Sequence, residues 1–265
     1  MSVRVGVVGA AGRMGAEVCR AVSAASDVTL VAAVDPSATG LTLGQVAGLT
    51  GEDAAIEVAD HLDALLEANV DVAVEFSGPR SVGDNLAWVL EHGIHAVVGA
   101  TGLTEQELDH ARGLAAAGAA NALVAPNFAI GAVLLMRFAA EAARHLPHAE
   151  VLELHHDGKV DAPSGTALRT AELIAEGRGE VPEIPLGDDA HPGARGAEHA
   201  GVRIHSVRLP GLVAHQEVIF GGQGQTLTVR HDSLDRTSFM PGVLLACREV
   251  AGLDGLVVGL DHLLT

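Results

Sequence analysis

Aromatic side chains are nearly missing from this sequence. Its 265 residues include no tyrosine, one tryptophan and five phenylalanines, so it lacks the stacking surfaces by which proteins commonly bind single-stranded nucleic acid. Basic residues are also few, since 16 lysines and arginines stand against 34 acidic residues and the formal net charge is -18. We expect such a chain to repel nucleic acid and anionic membrane surfaces.

Cysteine is equally scarce, because the chain has only Cys19 and Cys247. They form neither a CxxC pair nor the dense spacing of a disulfide-stabilised secreted domain. The sequence has no uncharged apolar run of about 18 residues, the length that predicts a membrane span. Met1 leads directly into a strand-like segment, so no signal peptide is expected. We therefore expect a cytoplasmic protein with no membrane or nucleic-acid partner.

Hydrophobic residues make up 48% of the sequence, enough for a chain of this length to bury a sizeable core. In the first half, short β-rich segments alternate with helical segments that begin near Arg13, Ser81 and Thr104. This alternation is typical of right-handed βαβ units and predicts a doubly wound parallel sheet covered by helices. The predicted strands are Val3 to Val8, Val28 to Val34, Val70 to Phe76, Ile94 to Val98 and Ala122 to Ala125.

The pattern changes after Asn127. A helical segment from Ile130 to Leu146 precedes segments that alternate polar and apolar residues, which predict an antiparallel or mixed sheet. Glycine and proline concentrate between Gly177 and Gly201, where we expect a long surface loop. A last helix is predicted near Asp235 to Val250, with an apolar side that can pack on the first domain. The predicted strands of this half are Glu150 to His156, Val202 to Arg208, Glu217 to Phe220 and Thr226 to Arg230.

A glycine-rich loop, Gly9-Ala10-Ala11-Gly12-Arg13-Met14-Gly15, follows the first predicted strand and opens the first helix. Glycine permits a tight turn and lets a pyrophosphate approach backbone N–H groups at a helix N-terminus. The spacing is GxxGxxG rather than GxGxxG, and such a loop alone also occurs as an ordinary strand–helix turn. Asp35 strengthens the prediction of a dinucleotide site, because a carboxylate at the end of the second strand binds the adenosine ribose hydroxyls.

Asp35 also bears on the choice of cofactor. Its carboxylate repels a 2'-phosphate, and Pro36 follows where an arginine would bind that phosphate, although Arg13 offers partial compensation. We therefore expect use of NADH, or of both NADH and NADPH. Two further turns, Phe76 to Pro79 and Gly99 to Gly102, follow predicted strands, where they either border the nicotinamide or are simple strand–helix turns.

The segment His155 to Leu168, HHDGKVDAPSGTAL, joins a predicted strand to a predicted helix. His155 and Lys159 both carry transferable protons. The stretch Pro163-Ser164-Gly165-Thr166 begins the helix and offers free N–H groups and two hydroxyls to an anion. In an otherwise acidic protein, this combination predicts a small anionic substrate held beside a proton donor.

Each of these residues also has a purely structural interpretation. His156 can be a hydrogen-bonded core histidine, Lys159 a solvated loop residue and Ser164 an N-cap. A metal site is another alternative, with the candidate ligands His155, His156, Asp157 and Asp161. Because ligands adjacent in sequence lack the spacing that presents them to one ion, we predict no metal.

Five segments, in order along the chain, resemble the 4-hydroxy-tetrahydrodipicolinate reductase family, formerly called the dihydrodipicolinate reductases. They are Val5 to Gly15, Val74 to Pro79, Gly99 to Gly102, Ala125 to Phe128 and Glu153 to Leu168. The HHxxKxDAPSGTA element is highly specific. The resemblance implies an α/β fold with a Rossmann-type dinucleotide-binding domain, residues 1–127 and 236–265. It also implies an α+β substrate-binding and oligomerisation domain, residues 128–235, whose sheets associate into a homotetramer.

The resemblance implies roles for individual residues as well. Cofactor binding is expected of Gly9, Ala10, Ala11, Gly12, Arg13, Met14, Asp35, Gly99, Ala100, Thr101, Ala125, Pro126, Asn127 and Phe128. His155 is expected to be the general acid/base and Lys159 a proton donor. The substrate carboxylates are expected on His156, Gly165 and Thr166, beside Ser164 at the helix start. Family members reduce a cyclic imine dicarboxylate to tetrahydrodipicolinate with NADH or NADPH, in diaminopimelate and lysine biosynthesis.

The chain departs from the family pattern at Asp35-Pro36, where some members carry an acidic residue followed by arginine. Two other functions remain as alternatives. One is a different two-domain NAD(P)-dependent dehydrogenase that acts on an amino acid or a semialdehyde, and the other is a non-catalytic dinucleotide sensor. The dehydrogenase alternative gives no reason for His155-His156 to stand beside Ser164-Gly165-Thr166.

Overall fold

A computed structural model describes residues 2–181, 187 and 190–264 of the chain. The described residues form two compact units. The first unit comprises the residues up to Phe128 and those from Phe239 onward, and the second is Ala129–Ser238. Within the described ranges, no helix has both the length and the apolar content needed to cross a bilayer.

The first unit is built on a parallel sheet. Its strands are β1 (Val3–Val8), β2 (Val28–Val34), β3 (Val58–Ala59), β4 (Val72–Glu75), β5 (His95–Val98), β6 (Ala122–Val124) and β12 (Leu256–Val258). They lie in the order β12-β6-β5-β4-β1-β2-β3, and every pairing is parallel. The prediction of a doubly wound parallel sheet is therefore confirmed, and β1 and β2 have the predicted bounds.

Helices cover this sheet. They are α1 (Arg13–Ala24), α2 (Leu43–Ala47), α3 (Asp63–Glu67), α4 (Val82–Glu91), α5 (Glu105–Ala117) and α8 (Met240–Glu249). The starts of α1, α4 and α5 agree with the predicted starts. At α5, Thr104 and Glu107 form a capping box, in which each side chain accepts a hydrogen bond from the other residue's backbone N–H. The pattern missed α2 and α3, because a helix of five residues is too short to show a period.

The core of the first unit follows from continuous apolar strands. Val5, Val7 and Val97 are fully buried, as expected for parallel strands that are covered on both faces. Both cysteines are buried in helices of this unit, Cys19 in α1 and Cys247 in α8. Burial raises the pKa of each thiol to about 12, so both remain protonated and unreactive at neutral pH.

The second unit combines two helices with a mixed sheet. Its elements are α6 (Ile130–Ala143), β7 (His148–His155), α7 (Gly165–Gly177), β8 (Ala197–His199), β9 (Val202–Arg208), β10 (Ala214–Gly222) and β11 (Gln225–Ser233). The strand order is β11-β10-β7-β9-β8, with β7 and β9 parallel and the other neighbours antiparallel. The predicted α+β unit with a mixed or antiparallel sheet is thus confirmed.

One short strand of the second unit was not predicted. β8 lies inside the stretch from Gly177 to Gly201 that was predicted to be a loop, because three residues cannot establish an alternating pattern. Residues 182–186, 188 and 189 of the same predicted loop lie outside the described residues.

Alternation along the strands divides the second sheet into two faces. Val151 and Phe220 on one face pack against α6 and α7 through Leu135 and Ile174. The opposite face carries the half-buried apolar side chains Leu152, Leu154, Val207 and Ile219. His155, at the end of β7, lies on the helix-covered face and pairs with Arg208 in the parallel register.

Candidate active site

The loop after β1 has the geometry of a phosphate cradle. Gly9 has φ +79°, and a Cβ there would lie 2.7 Å from the Phe76 carbonyl, so only glycine fits. A Cβ at Gly15 would lie 2.0 Å from the Gly9 oxygen, which shows how closely α1 approaches the loop. α1 follows Gly12 with no side-chain cap, so its first-turn N–H groups are free to bind an anion. This part of the first unit therefore fits a dinucleotide pyrophosphate.

Asp35 connects the end of β2 to this loop. Its Oδ2 accepts a hydrogen bond from the Ala11 N–H at 3.0 Å. Its Oδ1 accepts from the Ser37 N–H at 3.0 Å and from the Ser37 hydroxyl at 2.6 Å. The structure thus brings together the residues predicted to bind the pyrophosphate and the residue predicted to bind the ribose.

A cavity of about 560 Å³ lies at the carboxyl ends of β1, β2 and β4. This volume is within the usual range for small-molecule sites. Of the predicted cofactor residues, Gly9, Gly12 and Asp35 line it, together with Phe76, Ser77 and Gly78 of the turn that was predicted either to border the nicotinamide or to be a simple strand–helix turn. Sequence reasoning missed its other polar lining, which comprises Ser37, Asp60, His61, Arg80, Ser81 and Asn85. These residues follow different strands, and only the strand order of the sheet brings them together.

Glu75, buried at the end of β4, anchors the turn that borders this cavity. One carboxylate oxygen accepts from the Ser77 N–H at 2.6 Å, and the other accepts from the Asn85 side chain at 3.1 Å. Burial raises the pKa of Glu75, while these hydrogen bonds oppose the rise. Glu75 therefore holds Ser77 and Asn85 in place at the cavity wall.

The remaining predicted cofactor residues lie after β5 and β6. Gly99 lies against the rings of Phe76 and Phe128, whose centroids are 6.1 Å apart. The turns after β4, β5 and β6 are therefore neighbours at one edge of the sheet. Among the described residues, the predicted positions outside the lining of the 560 Å³ cavity are Ala10, Ala11, Arg13, Met14, Gly99, Ala100, Thr101, Ala125, Pro126, Asn127 and Phe128.

In the second unit, β7 presents Glu153 and His155 on one face, because they are two residues apart. Glu153 is 0% exposed. Its Oε2 lies 2.5 Å from His155 Nδ1. Arg208 on β9 donates from Nη1 to Oε2 at 2.9 Å and from Nη2 to Oε1 at 2.8 Å. The Ser164 N–H donates to Oε1 at 3.3 Å. One buried carboxylate therefore contacts an imidazole, a guanidinium and the residue that starts α7.

The Glu153 carboxylate is strongly stabilised in its charged form. Burial alone would raise its pKa, but hydrogen bonds from His155, Arg208 and Ser206 outweigh burial and lower the pKa from 4.5 to about 2. Because the folded-state pKa is the lower one, ionised Glu153 stabilises the fold above pH 4.5. This contribution is lost as the pH falls toward about 2.

Lys159 belongs to the same network. Its Nζ donates to both carboxylate oxygens of Asp161 at 2.8 Å, and this contact lowers the pKa of Asp161. Arg208 Nη2 donates to the Asp161 carbonyl at 2.6 Å, which ties the Lys159 loop to the Glu153 cluster. Lys159 is also the only lysine among the 16 lysines and arginines of the chain. An ammonium can release a proton in an enzyme site whereas a guanidinium cannot, so a single lysine here favours proton transfer.

At the start of α7, one polar residue caps the helix and others are candidates for binding an anion. Ser164 is buried, and its hydroxyl accepts from the Ala167 N–H at 3.2 Å, so it is the N-cap. Gly165 is exposed, with no described atom within 4 Å of the position of an added Cβ. His156 is exposed too, so its interpretation as a core histidine is wrong. Gly165, Thr166 and His156 therefore remain candidates for binding an anion.

Few side chains around His155 and Asp161 are available to bind a metal ion. In the described parts of the chain, no three His, Cys, Asp or Glu side chains are grouped closely enough to hold one. In this structure His155 Nδ1 contacts Glu153, and the Asp161 carboxylate contacts Lys159.

Sequence reasoning gave no role to Glu153 or Arg208. The alternation along β7 was a usable signal for Glu153, since it places the carboxylate on the face of His155. No comparable signal exists for Arg208, because the parallel pairing of β7 with β9 cannot be read from local periodicity.

Family models match nearly the whole chain. The model of the dihydrodipicolinate reductase N-terminus matches residues 3–128, and the model of the C-terminus matches residues 131–264. The chain belongs to the dihydrodipicolinate reductase family. It is 52% identical to the 4-hydroxy-tetrahydrodipicolinate reductase of Nocardia farcinica, across 100% of this chain and 99% of that protein. It is 50% identical to the reductase of Mycolicibacterium smegmatis, across 99% of each.

Solved structures agree with this assignment. The dipicolinate-bound dihydrodipicolinate reductase from Paenisporosarcina sp. TG-14 has a TM-score of 0.88, with 40% identity over 99% of both chains. An amine dehydrogenase from Mycobacterium smegmatis has a TM-score of 0.67 at 16% identity, a similarity of fold alone. The resemblance to the dihydrodipicolinate reductase family that was inferred from sequence motifs is therefore confirmed.

Proposed function

We propose that this chain reduces 4-hydroxy-tetrahydrodipicolinate, a cyclic imine dicarboxylate, to tetrahydrodipicolinate with loss of water. NADH or NADPH is the reductant, and the reaction is a cytoplasmic step of diaminopimelate and lysine biosynthesis. The observation that carries the proposal is the cluster around Glu153. It joins an imidazole, the only lysine and an open helix start in a chain that matches the reductase family at residues 3–128 and 131–264.

In this proposal the first unit binds the cofactor, which supplies a hydride when bound. The N–H groups of the Gly9 to Met14 loop hold the pyrophosphate, and Asp35 accepts hydrogen bonds from the adenosine ribose. The turns Gly99 to Thr101 and Ala125 to Phe128 complete the site. Support comes from the crowded contact at Gly15, the uncapped start of α1 and the contact between Asp35 and Ala11.

The second unit binds the dianionic substrate and delivers the proton. The first-turn N–H groups at Gly165 and Thr166, together with His156, bind carboxylates. The reduced substrate must take up a proton, and a positioned donor accelerates such a step by about 10²- to 10⁴-fold. His155 and Lys159 are the donors, since an imidazole and an ammonium can release a proton whereas the guanidinium of Arg208 in the same network cannot. By family resemblance the chain forms a homotetramer through the face of this sheet that α6 and α7 do not cover. The half-buried apolar side chains of Leu152, Leu154 and Ile219 on that face support this interface.

A coupled assay tests this function. The unstable substrate is generated from aspartate semialdehyde and pyruvate, and NADH oxidation is followed by absorbance. We expect turnover that depends on both precursors. A chain that binds NADH without turnover would instead be a sensor, and one that oxidises an amino acid but leaves the condensation product unchanged would be a different dehydrogenase.

We expect Asp35→Asn to change cofactor preference. The amide has one oxygen, so it keeps either the Ala11 or the Ser37 N–H contact but not both, and it no longer repels a 2'-phosphate. The ratio of kcat/KM for NADPH to kcat/KM for NADH should therefore rise by about tenfold, equivalent to about 1.4 kcal/mol. Steady-state kinetics with both cofactors measure it.

The matched control for that variant is Asp109→Asn. It removes the same charge from an exposed residue that pairs with Arg112 and does not line the 560 Å³ cavity. An equal change in this control would refute the assignment to Asp35. We expect the wild-type chain to use NADH. A kcat/KM for NADPH about a hundredfold higher than that for NADH, a preference equivalent to about 2.7 kcal/mol, would refute this expectation.

Asp161→Asn should tighten the binding of a dicarboxylate. In the structure the Asp161 carboxylate holds Lys159 Nζ through both oxygens, so it competes with a substrate carboxylate for the ammonium. We expect the Kd of pyridine-2,6-dicarboxylate to fall by about fivefold. Isothermal titration calorimetry measures this Kd. Asp157→Asn is the control, because it removes an exposed negative charge from the same loop. Competition at Lys159 is disproved if both variants bind equally or if Asp161→Asn binds more weakly.

A further inference from the structure

We propose that Glu153 is a positioning residue, which fixes the imidazole of His155 and the start of α7 relative to each other, with Arg208 as its counter-ion. The inference rests on the reductase function proposed above. In this role Glu153 holds the proton donor and the carboxylate-binding helix in one geometry.

The contact with Glu153 determines the tautomer of His155. A carboxylate only accepts hydrogen bonds, so its 2.5 Å contact with Nδ1 requires a proton on that nitrogen. In the neutral ring Nε2 is then the acceptor, and in the charged ring it is the nitrogen that can release a proton. A buried carboxylate behind a histidine selects the reactive nitrogen in the same way at other catalytic and metal sites.

Glu153 also contacts the start of α7. The same carboxylate accepts from the backbone N–H of Ser164, the residue that caps the helix. The connecting loop is mostly exposed, and Val160 is 98% exposed, so core packing does little to hold it. The Glu153 side chain therefore links His155 to the start of α7, which the exposed loop alone would connect only loosely.

Arg208 is the counter-ion of Glu153. Both of its terminal nitrogens bind Glu153, and Nη2 also binds the Asp161 carbonyl in the Lys159 loop. A buried ion pair is commonly no more stable than an apolar pair of the same shape. The pair is therefore better explained by the geometry it imposes on His155, Ser164 and Asp161 than by its contribution to stability.

Glu153→Gln tests the proposal because it keeps the shape and removes the charge. The Oε1 position faces two donors that cannot become acceptors, Arg208 Nη2 and the Ser164 N–H. The Oε2 position faces only one, Arg208 Nη1, beside the His155 ring, so the amide oxygen takes the Oε1 position. The amide NH₂ group then faces His155 Nδ1 and forces the proton onto Nε2. We expect kcat to fall by about 10²-fold or more while KM for NADH stays within about threefold, because the charged ring that donates from Nε2 loses the carboxylate that stabilises it.

The tautomer itself is the second readout. Long-range ¹H–¹⁵N spectra of the histidine rings distinguish Nδ1–H from Nε2–H, and the signal that disappears in His155→Gln identifies His155. We expect Nδ1–H in the wild type and Nε2–H in Glu153→Gln. This measurement needs no substrate. It therefore remains informative if the proposed reductase activity is absent.

Further variants separate positioning from folding. Glu153→Gln leaves Arg208 without a counter-ion, so the double variant with Arg208→Met removes both charges and is expected to recover Tm but not kcat. Glu153→Asp keeps the charge and is expected to recover part of kcat. The matched control is Glu172→Gln, which alters another Glu–His contact, 3.2 Å from His199, on the exposed side of α7. It should change neither kcat nor the tautomer of His155.

The outcomes separate the two proposals. An active wild type whose Glu153→Gln variant keeps its kcat, or keeps Nδ1–H on His155, overturns the positioning role and leaves the reductase intact. Recovery of kcat in the double variant also overturns it, because only the loss of stability would then have mattered. A wild type without turnover overturns the reductase, while the ring spectra still decide the role of Glu153.

Discussion

Lys159→Ala is expected to lower kcat by about 10²- to 10⁴-fold, with little change in the Kd of NADH. The ammonium is a proton donor in the proposed reaction, and it lies in the second unit rather than in the unit that carries the glycine-rich loop. The variant has no lysine at all, since Lys159 is the only one in the sequence. Steady-state assays give kcat, and NADH fluorescence gives the Kd.

Lys159→Arg separates charge from proton transfer. A guanidinium keeps the positive charge that binds a carboxylate but does not release its proton near neutral pH. We expect this variant to bind pyridine-2,6-dicarboxylate and still turn over slowly. Arg169→Ala is the matched control, because it removes an exposed positive charge from α7 that pairs with Glu172 and Glu176. Near-normal turnover by either Lys159 variant would show that another group delivers the proton.

Gly15→Ala should have the largest effect on the first unit. The added Cβ would lie 2.0 Å from the Gly9 oxygen and 2.9 Å from the Ala10 Cα, so the backbone of the glycine-rich loop must move. Overpacking against backbone costs about 3 kcal/mol of unfolding free energy. The same displacement should abolish detectable NADH binding. Urea denaturation and NADH fluorescence measure the two effects.

Gly113→Ala is the control for this substitution. It lies within α5, and apart from its chain neighbours and the adjacent backbone of that helix no described atom lies within 4 Å of the added Cβ. Alanine is the better helix former, so the unfolding free energy should rise by about 0.5–1 kcal/mol, with unchanged NADH binding. A Gly15→Ala variant as stable as the wild type would show that the loop after β1 adapts more easily than its close contacts imply.

Much of the fold was predictable from local pattern. β1, β2 and β9 have the bounds expected from their residues, and α5 starts after Thr104 because a capping box is a local signal. The elements that escaped prediction are short. Strands of two or three residues, such as β3, β8 and β12, form because neighbouring backbone is already in place to pair with them, and no period in the sequence announces that.

The candidate site, like the fold, was only partly predictable from local sequence. His155, Lys159 and the Ser164 helix start were predicted because they stand close together in sequence and each has a recognisable chemistry. Ser37, His61 and Asn85 were not predicted as cavity lining, because they follow β2, β3 and β4 respectively and meet only through the sheet order.

The amino-acid sequence alone determined the βαβ units of the first half and the alternating strands of the second. It also determined the glycine-rich loop and the reductase motif, since each of these features depends on residues that are close together in sequence. Tertiary structure decided the partners of those residues. Arg208 reaches Glu153 only because β9 lies parallel to β7. Contacts between residues far apart in sequence depend on strand order and register, which arise from the packing of the whole unit rather than from any local period.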